Sequence, residues 1–141
     1  MEQISPLGTH CILELYGCSP DLLNDALFVR EAIEEASRQG LSTLLKLTSH
    51  QFYPQGVTAV GLLAESHLSI HTWPEFGYAA VDIFTCGEDA KPRQACEYLQ
   101  ERFEAREHSL LTLPRGAGAS ERTAACTAEP AAESRLCRAP T

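Results

Sequence analysis

Residues 65–87 read Glu-Ser-His-Leu-Ser-Ile-His-Thr-Trp-Pro-Glu-Phe-Gly-Tyr-Ala-Ala-Val-Asp-Ile-Phe-Thr-Cys-Gly, and the interpretation of the whole chain starts from this stretch. In its second half, Ala79, Val81 and Ile83 fall on one side of an extended chain and Asp82 on the other. That period of two is typical of a strand with one buried face. The stretch also concentrates hydroxyl, imidazole, carboxylate and thiol groups, which carry nucleophilic and acid–base chemistry.

The segments on either side of this stretch alternate between strand and helix patterns. We predict strands at residues 7–16, 41–49, 57–64, 77–86 and 110–113. A first helix is predicted to open at Ser19-Pro20 and to end at Gly40, and a second to begin at Pro92. The order β-α-β-β-β-α-β predicts an α+β fold, a two-layer sandwich with two helices packed on one face of an antiparallel sheet.

Length and composition predict one folded domain followed by a tail. A chain of 141 residues has the length of a single domain. Residues 116–141 are rich in alanine and contain no aromatic residue, so they cannot bury enough apolar surface to offset the entropy of ordering. We therefore predict a folded domain over residues 1–115 and a disordered tail over residues 116–141.

Charge and hydropathy narrow the functional classes. The net charge of −8 argues against a nucleic-acid partner, whose phosphates attract lysine and arginine. No apolar run approaches the roughly 20 residues of a membrane span, and the N-terminus lacks the features of a signal peptide, so we predict a cytoplasmic protein. The six cysteines include no Cys-x-x-Cys pair. Free thiols are therefore expected, with a disulfide framework as the alternative.

Taken one at a time, the polar residues of the opening stretch allow plain structural interpretations. Ser66 is most simply a surface serine, Trp73 a core residue at a turn, and Asp82 a buried carboxylate that needs a partner. Phe52 beside a turn is most simply a lid over the core, although a flat aromatic there can also stack on a ligand. A zinc site is a further hypothesis, and its ligands would be His67, His71 and Cys86.

Two motifs within residues 64–87 limit these alternatives. Residues 64–75 read Ala-Glu-Ser-His-Leu-Ser-Ile-His-Thr-Trp-Pro-Glu, and residues 78–87 read Tyr-Ala-Ala-Val-Asp-Ile-Phe-Thr-Cys-Gly. Together they resemble the bacterial S-adenosylmethionine decarboxylase proenzyme family, and in element order the resemblance covers about residues 7–113. It implies a self-cleaving, pyruvoyl-dependent carboxy-lyase. Its products would be carbon dioxide and decarboxylated S-adenosylmethionine, the aminopropyl donor for spermidine biosynthesis.

The resemblance also implies roles in processing and turnover. The Glu65–Ser66 peptide bond is the expected cleavage point, and Ser66 is expected to become a covalent pyruvoyl group that forms a Schiff base with the substrate. His71 is expected to accept a proton during processing, and Cys86 to donate one during turnover. Loss of carbon dioxide from an amino acid leaves a carbanion, which needs an electron sink that no ordinary side chain supplies.

Three further residues and the assembly follow from the same resemblance. Phe52 is expected to stack on the adenine of S-adenosylmethionine, and Glu75 to bind its ribose. Thr58 lies where the family usually has serine, so a hydroxyl that assists processing is retained with an added methyl group. No metal is expected, and the family works as a homodimer of cleaved protomers.

Two rival functions stay open on the residues themselves. The same pyruvoyl chemistry could act on arginine or ornithine, although Phe52 and Glu75 favour a nucleoside substrate. A non-cleaving binding paralogue would keep the motif without the reaction, but the joint presence of Ser66, His71 and Cys86 disfavours it.

Overall fold

The computed structural model describes residues 5–122, and they form one six-stranded sheet with helices on one side. The strands are β1 (Gly8–Tyr16), β2 (Leu44–Gln51), β3 (Val57–Leu63), β4 (Ser66–Trp73), β5 (Tyr78–Cys86) and β6 (Glu107–Arg115). The helices are α1 (Pro20–Leu23), α2 (Ala26–Gln39) and α3 (Pro92–Arg102), with a 3₁₀ turn at Pro74–Phe76.

The strands lie in the order β2-β3-β4-β5-β1-β6, and every neighbouring pair is antiparallel. Helix α2 packs over β2, β3 and β4, while α3 packs over β1 and β5. Gly61 in β3 allows the close approach of α2, since a Cβ there would lie 2.8 Å from Cγ2 of Ile33. The predicted two-layer α+β sandwich is confirmed.

The core lies between the helices and the face of the sheet that they cover. Alternate strand residues enter it, as a period of two requires. The fully buried strand side chains include Cys11, Leu13, Leu15, Ala59, Leu68, Ile70, Ala79 and Ile83. In the helical layer, Phe28 of α2 and Phe103, directly after α3, meet edge to face with their ring centroids 5.3 Å apart.

The first predicted helix is in fact two helices, because Asn24 and Asp25 use their side chains to break it. The Asp25 carboxylate accepts a hydrogen bond from the backbone N–H of Phe28 and so caps α2. The Asn24 side-chain oxygen accepts one from the N–H of Gly56, 2.9 Å away, which ties this break to the turn between β2 and β3. Side chains that compete for backbone partners in this way interrupt helices.

The prediction of five strands was wrong by one, since residues 66–73 form β4 at the centre of the sheet. The strand was missed because its uncovered face carries polar side chains, and because the turn before it contains no glycine, proline or asparagine. The strand predicted at residues 41–49 lies at Leu44–Gln51, and the strand predicted at 110–113 extends over Glu107–Arg115.

The second face of the sheet is covered by no helix within the described residues. It carries a polar centre, described below, and several exposed apolar side chains, among them Leu62 (50% exposed), Trp73 (40%) and Leu111 (53%). No helix of residues 5–122 is long and apolar enough to cross a membrane. The predicted tail begins with a turn in which the Ala119 N–H bonds to the Gly116 carbonyl, and residues 123–141 lie outside the described part.

Candidate active site

Strands β3 and β4 form a tight hairpin whose turn contains the Glu65–Ser66 peptide bond. Leu63 pairs with Ser66, so only residues 64–65 lie between the two strands. The unusual backbone angle of this turn falls on Ser66, whose φ is 152°. Residues other than glycine rarely adopt that φ, and backbone strain of this kind costs on the order of 1–3 kcal/mol. The backbone is thus strained at the serine that the motif singles out.

The carbonyl group of Glu65 is held by Cys86 at the end of the neighbouring strand β5. It accepts a hydrogen bond from the Cys86 backbone N–H at 2.9 Å and one from the Cys86 thiol at 3.0 Å. Two donors on one carbonyl oxygen form an arrangement that stabilises negative charge on that oxygen. We call Glu65, Ser66 and Cys86 the hairpin end of the site.

A second group of predicted residues lies at the opposite end of β4. His71 pairs with Thr58 across β3 and β4, and the Thr58 hydroxyl oxygen lies 2.9 Å from Nδ1 of His71. Phe52, Thr58, His71 and Glu75 line one cavity of about 310 Å³, together with Trp73. We call Phe52, Thr58, His71 and Glu75 the cavity end of the site.

The aromatic side chains of the cavity end are available to a ligand. Phe52 is 48% exposed, and its ring meets that of His50 edge to face with the centroids 4.6 Å apart. Trp73 is 40% exposed and lines the cavity, so the simple interpretation of it as a core residue was wrong. Its position on the uncovered face of β4 was not visible in the sequence because that strand was not recognised.

The two ends do not meet within one copy of the chain. Ser66 and His71 are five residues apart on the same strand, which corresponds to about 16 Å at the usual rise of a strand. An odd separation also places their side chains on opposite faces of a regular strand. The structure therefore joins Cys86 to the Glu65 carbonyl that precedes Ser66, and Thr58 to His71, but it does not join the two pairs.

A polar network on the uncovered face lies between the two ends, with the Asp82 carboxylate at its centre. Asp82 accepts hydrogen bonds from the Ser69 hydroxyl and from Nε2 of His10, the latter at 3.0 Å. Nε2 of His67 lies 3.6 Å from the same carboxylate. Burial raises the pKa of Asp82, but the hydrogen bonds from Ser69 and His10 and the nearby His67 lower it by more, so the net shift is downward.

This network agrees with the expectation that Asp82 needs a partner, and it also includes His10 and His67, for which no catalytic role was predicted. A second cavity of about 280 Å³ lies over the network, and His10, Glu14, His71 and Asp82 are among its lining residues. Tyr78 donates a hydrogen bond to Glu14 here. Burial raises the pKa of Tyr78, and this carboxylate raises it further.

The zinc hypothesis finds no support in the geometry. Within residues 5–122, no three His, Cys, Asp or Glu side chains lie close enough to share a metal ion. Cys11, Cys18, Cys86 and Cys96 are free thiols. Cys126 and Cys137 lie outside the described residues.

The family model and the individual relatives that match this chain all belong to the S-adenosylmethionine decarboxylases. The S-adenosylmethionine decarboxylase family matches the chain over residues 9–116. An S-adenosylmethionine decarboxylase proenzyme of Prochlorococcus marinus is 54% identical over 118 residues, which are 84% of this chain and 94% of that protein. One of Thermodesulfovibrio yellowstonii is 44% identical over 110 residues, or 78% of this chain and 82% of that protein.

A solved structure agrees with the sequence relatives. The crystal structure of the adenosylmethionine decarboxylase from Aquifex aeolicus superimposes with a TM-score of 0.75 at 38% sequence identity. The match covers 79% of this chain and 92% of that one. The likeness therefore extends over most of the chain.

Proposed function

The chain belongs to the S-adenosylmethionine decarboxylase family, and we propose that it is a proenzyme that cuts itself at Glu65–Ser66 and converts Ser66 into a pyruvoyl group. The observation that carries this proposal is the geometry of the hairpin end. A serine with a strained backbone follows a carbonyl group that two donors already polarise. Breaking the chain at this point releases the strain.

The residues present fit a prosthetic group made from the chain itself. Ser66 is the nucleophile that attacks the Glu65 carbonyl, and the N–H and thiol of Cys86 stabilise the oxygen of that carbonyl as charge develops on it. Loss of the Ser66 α-proton then expels the Glu65 carboxylate, and His71, aligned by the Thr58 hydroxyl, is the base proposed for this step.

In turnover, the pyruvoyl group supplies the electron sink for decarboxylation of S-adenosylmethionine. Phe52 and Glu75 hold the nucleoside in the cavity, since an exposed aromatic ring can stack on adenine and a carboxylate can accept hydrogen bonds from ribose hydroxyls. Cys86 then protonates the α-carbon from which carbon dioxide has left. The distance of 3.0 Å between its thiol and the Glu65 carbonyl oxygen, beside Ser66, supports this role.

The proposal includes a homodimer, because the site is incomplete in one copy. The hairpin end and the cavity end lie about 16 Å apart along β4. A second copy packed on the uncovered face would bring its own cavity end to the hairpin end of the first and would bury the exposed Leu62 and Leu111. We place the reaction in the cytoplasm, where the free thiols of the described cysteines are stable.

The test is the intact mass of the purified protein together with its reaction. The wild-type chain should run as fragments 1–65 and 66–141, the larger without a free amino terminus, and should release carbon dioxide from S-adenosylmethionine. Ser66→Ala should remain one inactive chain, whereas Ser109→Ala, an exposed serine on β6, should behave as wild type. An uncleaved wild-type chain would contradict the proposal, and faster turnover of arginine or ornithine would contradict its substrate.

A further inference from the structure

We propose that His67 is the general base that activates the Ser66 hydroxyl for self-cleavage, and that Asp82 positions His67 for this step. The inference rests on the proposed self-processing and assigns a residue to its first chemical step. The hydroxyl of Ser66 must lose a proton as it attacks the Glu65 carbonyl. His67 of the same copy already contacts that hydroxyl, whereas His71 of the same copy lies about 16 Å away along the strand.

The contacts form a line from hydroxyl to imidazole to carboxylate. The Ser66 Oγ lies 3.4 Å from Nδ1 of His67, and Nε2 of His67 lies 3.6 Å from Oδ2 of Asp82. Catalytic hydrogen bonds are often long in the resting protein and shorten in the reacting state. The carboxylate favours the tautomer with the proton on Nε2, which leaves the Nδ1 lone pair free to accept the serine proton.

Asp82 is itself held in place by contacts from two neighbouring strands. Ser69 on β4 and His10 on β1 both donate to its carboxylate, and Arg115 on β6 lies 3.1 Å from the other nitrogen of His10. A carboxylate that is fixed in this way orients the imidazole beside it. Residues on β1, β4, β5 and β6 thus keep the His67 imidazole beside the Ser66 hydroxyl.

The step balances within one chain. His67 Nδ1 takes the Oγ proton of Ser66, Oγ bonds to the Glu65 carbonyl carbon, and the bond from that carbon to the Ser66 nitrogen breaks. The imidazolium returns the proton to the departing nitrogen, so the products are an ester between Glu65 and Ser66 Oγ and a free amine on Ser66. The two Cys86 donors stabilise the intervening oxyanion.

The first step therefore needs only one copy of the chain, whereas the second step, removal of the Ser66 α-proton, uses His71 of a second copy. This division separates the two histidines experimentally. A chain that lacks the base of the first step should form no ester, while one that lacks the base of the second should accumulate it.

The experiment follows self-cleavage of the full chain after cell-free synthesis, with and without hydroxylamine, which cuts esters much faster than amides. His67→Ala should cleave 10²- to 10⁴-fold more slowly than wild type, with no hydroxylamine-sensitive ester. Added imidazole should restore part of the rate by occupying the vacated space. The control His108→Ala changes an exposed histidine on β6 and should cleave at the wild-type rate.

Asp82→Asn should also slow cleavage, but should add little to the defect of His67→Ala, because Asp82 acts through His67. If His67→Ala fails to fold, judged by circular dichroism, His67→Gln replaces it and the ester assay decides. Cleavage of a His67 variant within tenfold of wild type, or accumulation of ester in it, would overturn the inference. So would a defect that imidazole leaves unchanged in folded His67→Ala. Failure of the wild-type chain to cleave would instead overturn the proposed function itself.

Discussion

The hairpin end and the cavity end occupy the two ends of one strand and differ in what each can do. The hairpin end holds a strained serine and a carbonyl with two donors, and it contains the bond that we propose is broken. The cavity end holds a hydroxyl–imidazole pair, an exposed aromatic ring and a carboxylate around about 310 Å³ of space. The hairpin end contains the proposed nucleophile and its target carbonyl. The cavity end contains an imidazole and space for a ligand.

This difference underlies our proposal that the two ends act together in a dimer. The hairpin end depends on strand pairing, which brings Cys86 to Glu65 within each copy. The cavity end is built from β3, β4 and the neighbouring turns of the same copy. It lies at the end of β4 that is far from Ser66. The predictions below test whether the two ends cooperate across copies and how much each contributes.

The largest effect is expected when the base of the cavity end is removed. His71→Ala should slow conversion of Ser66 by 10²- to 10⁴-fold, because general base catalysis is typically worth that much. The chain should stall as an ester that hydroxylamine cuts between Glu65 and Ser66. Gel analysis after hydroxylamine treatment measures this, and cleavage of His71→Ala at the wild-type rate would disprove the assignment.

The same variant allows a direct test of cooperation between copies. Co-expression of His71→Ala with Ser66→Ala chains should restore cleavage of the His71→Ala chain, since its Ser66 would meet an intact His71 of the other variant. Mass spectrometry distinguishes the two chains if one carries a short tag. Mixed dimers that form but do not cleave would place the complete site within a single copy.

Removing the thiol of the hairpin end should affect turnover more than processing. Cys86→Ala should still yield some fragment 66–141, because the backbone N–H that donates to the Glu65 carbonyl remains. Decarboxylation by that fragment should fall by 10²- to 10⁴-fold when its proton donor is lost. Comparing carbon dioxide release with the amount of fragment separates the two effects, and full turnover in Cys86→Ala would refute this role.

A smaller effect is expected for the ring that we propose to stack on adenine. Phe52→Ala should raise KM for S-adenosylmethionine by an amount equivalent to about 1–3 kcal/mol, the usual value of base stacking on an aromatic ring. Self-cleavage should be unaffected. Tyr53→Ala is the matched control, because the neighbouring side chain is 99% exposed and lines no part of the cavity. An equal rise in KM for both variants would argue against stacking.

The network between the two ends should contribute to stability in a pH-dependent way. The pKa of Asp82 is lowered in the folded chain, so its stabilising contribution is present above the unfolded pKa of about 3.9 and is lost as the pH falls through the folded value. Asp82→Asn should therefore lose about 1 kcal/mol near neutral pH and progressively less in acid. Urea unfolding at several pH values measures this, with Asp89→Asn as the exposed control.

The smallest effect is expected in the predicted tail, which belongs to neither end of the site. A chain that ends at Arg115 should fold, cleave and turn over like the full chain, because residues 116–141 contain no aromatic residue and only one large aliphatic residue, Leu136. Melting temperature and activity are the measurements. A marked loss of either would indicate that the tail docks on the domain.

The fold class and most of the chemical groups of the site could be predicted from the amino-acid sequence alone. Periodic apolar residues and helix-end signals predicted the antiparallel sheet and the helices that cover it, because these patterns depend on local geometry. The motif around Ser66 pointed to the correct family, since a long string of serine, histidine, tryptophan and cysteine rarely recurs by chance. Each of these inferences needed only the order of residues along a short segment of the chain.

Which of these groups contact each other depends on the three-dimensional fold and could not be predicted from the sequence. Strand β4 was not recognised, because its polar face and its turn without glycine lacked the usual signals, so the approach of Cys86 to Glu65 and of Thr58 to His71 remained unknown. The separation of Ser66 from His71 and the contact of His67 with Ser66 also depend on strand pairing and on an unusual backbone angle. Contacts between residues distant in the chain are fixed by packing of the whole sheet, and no local pattern encodes them.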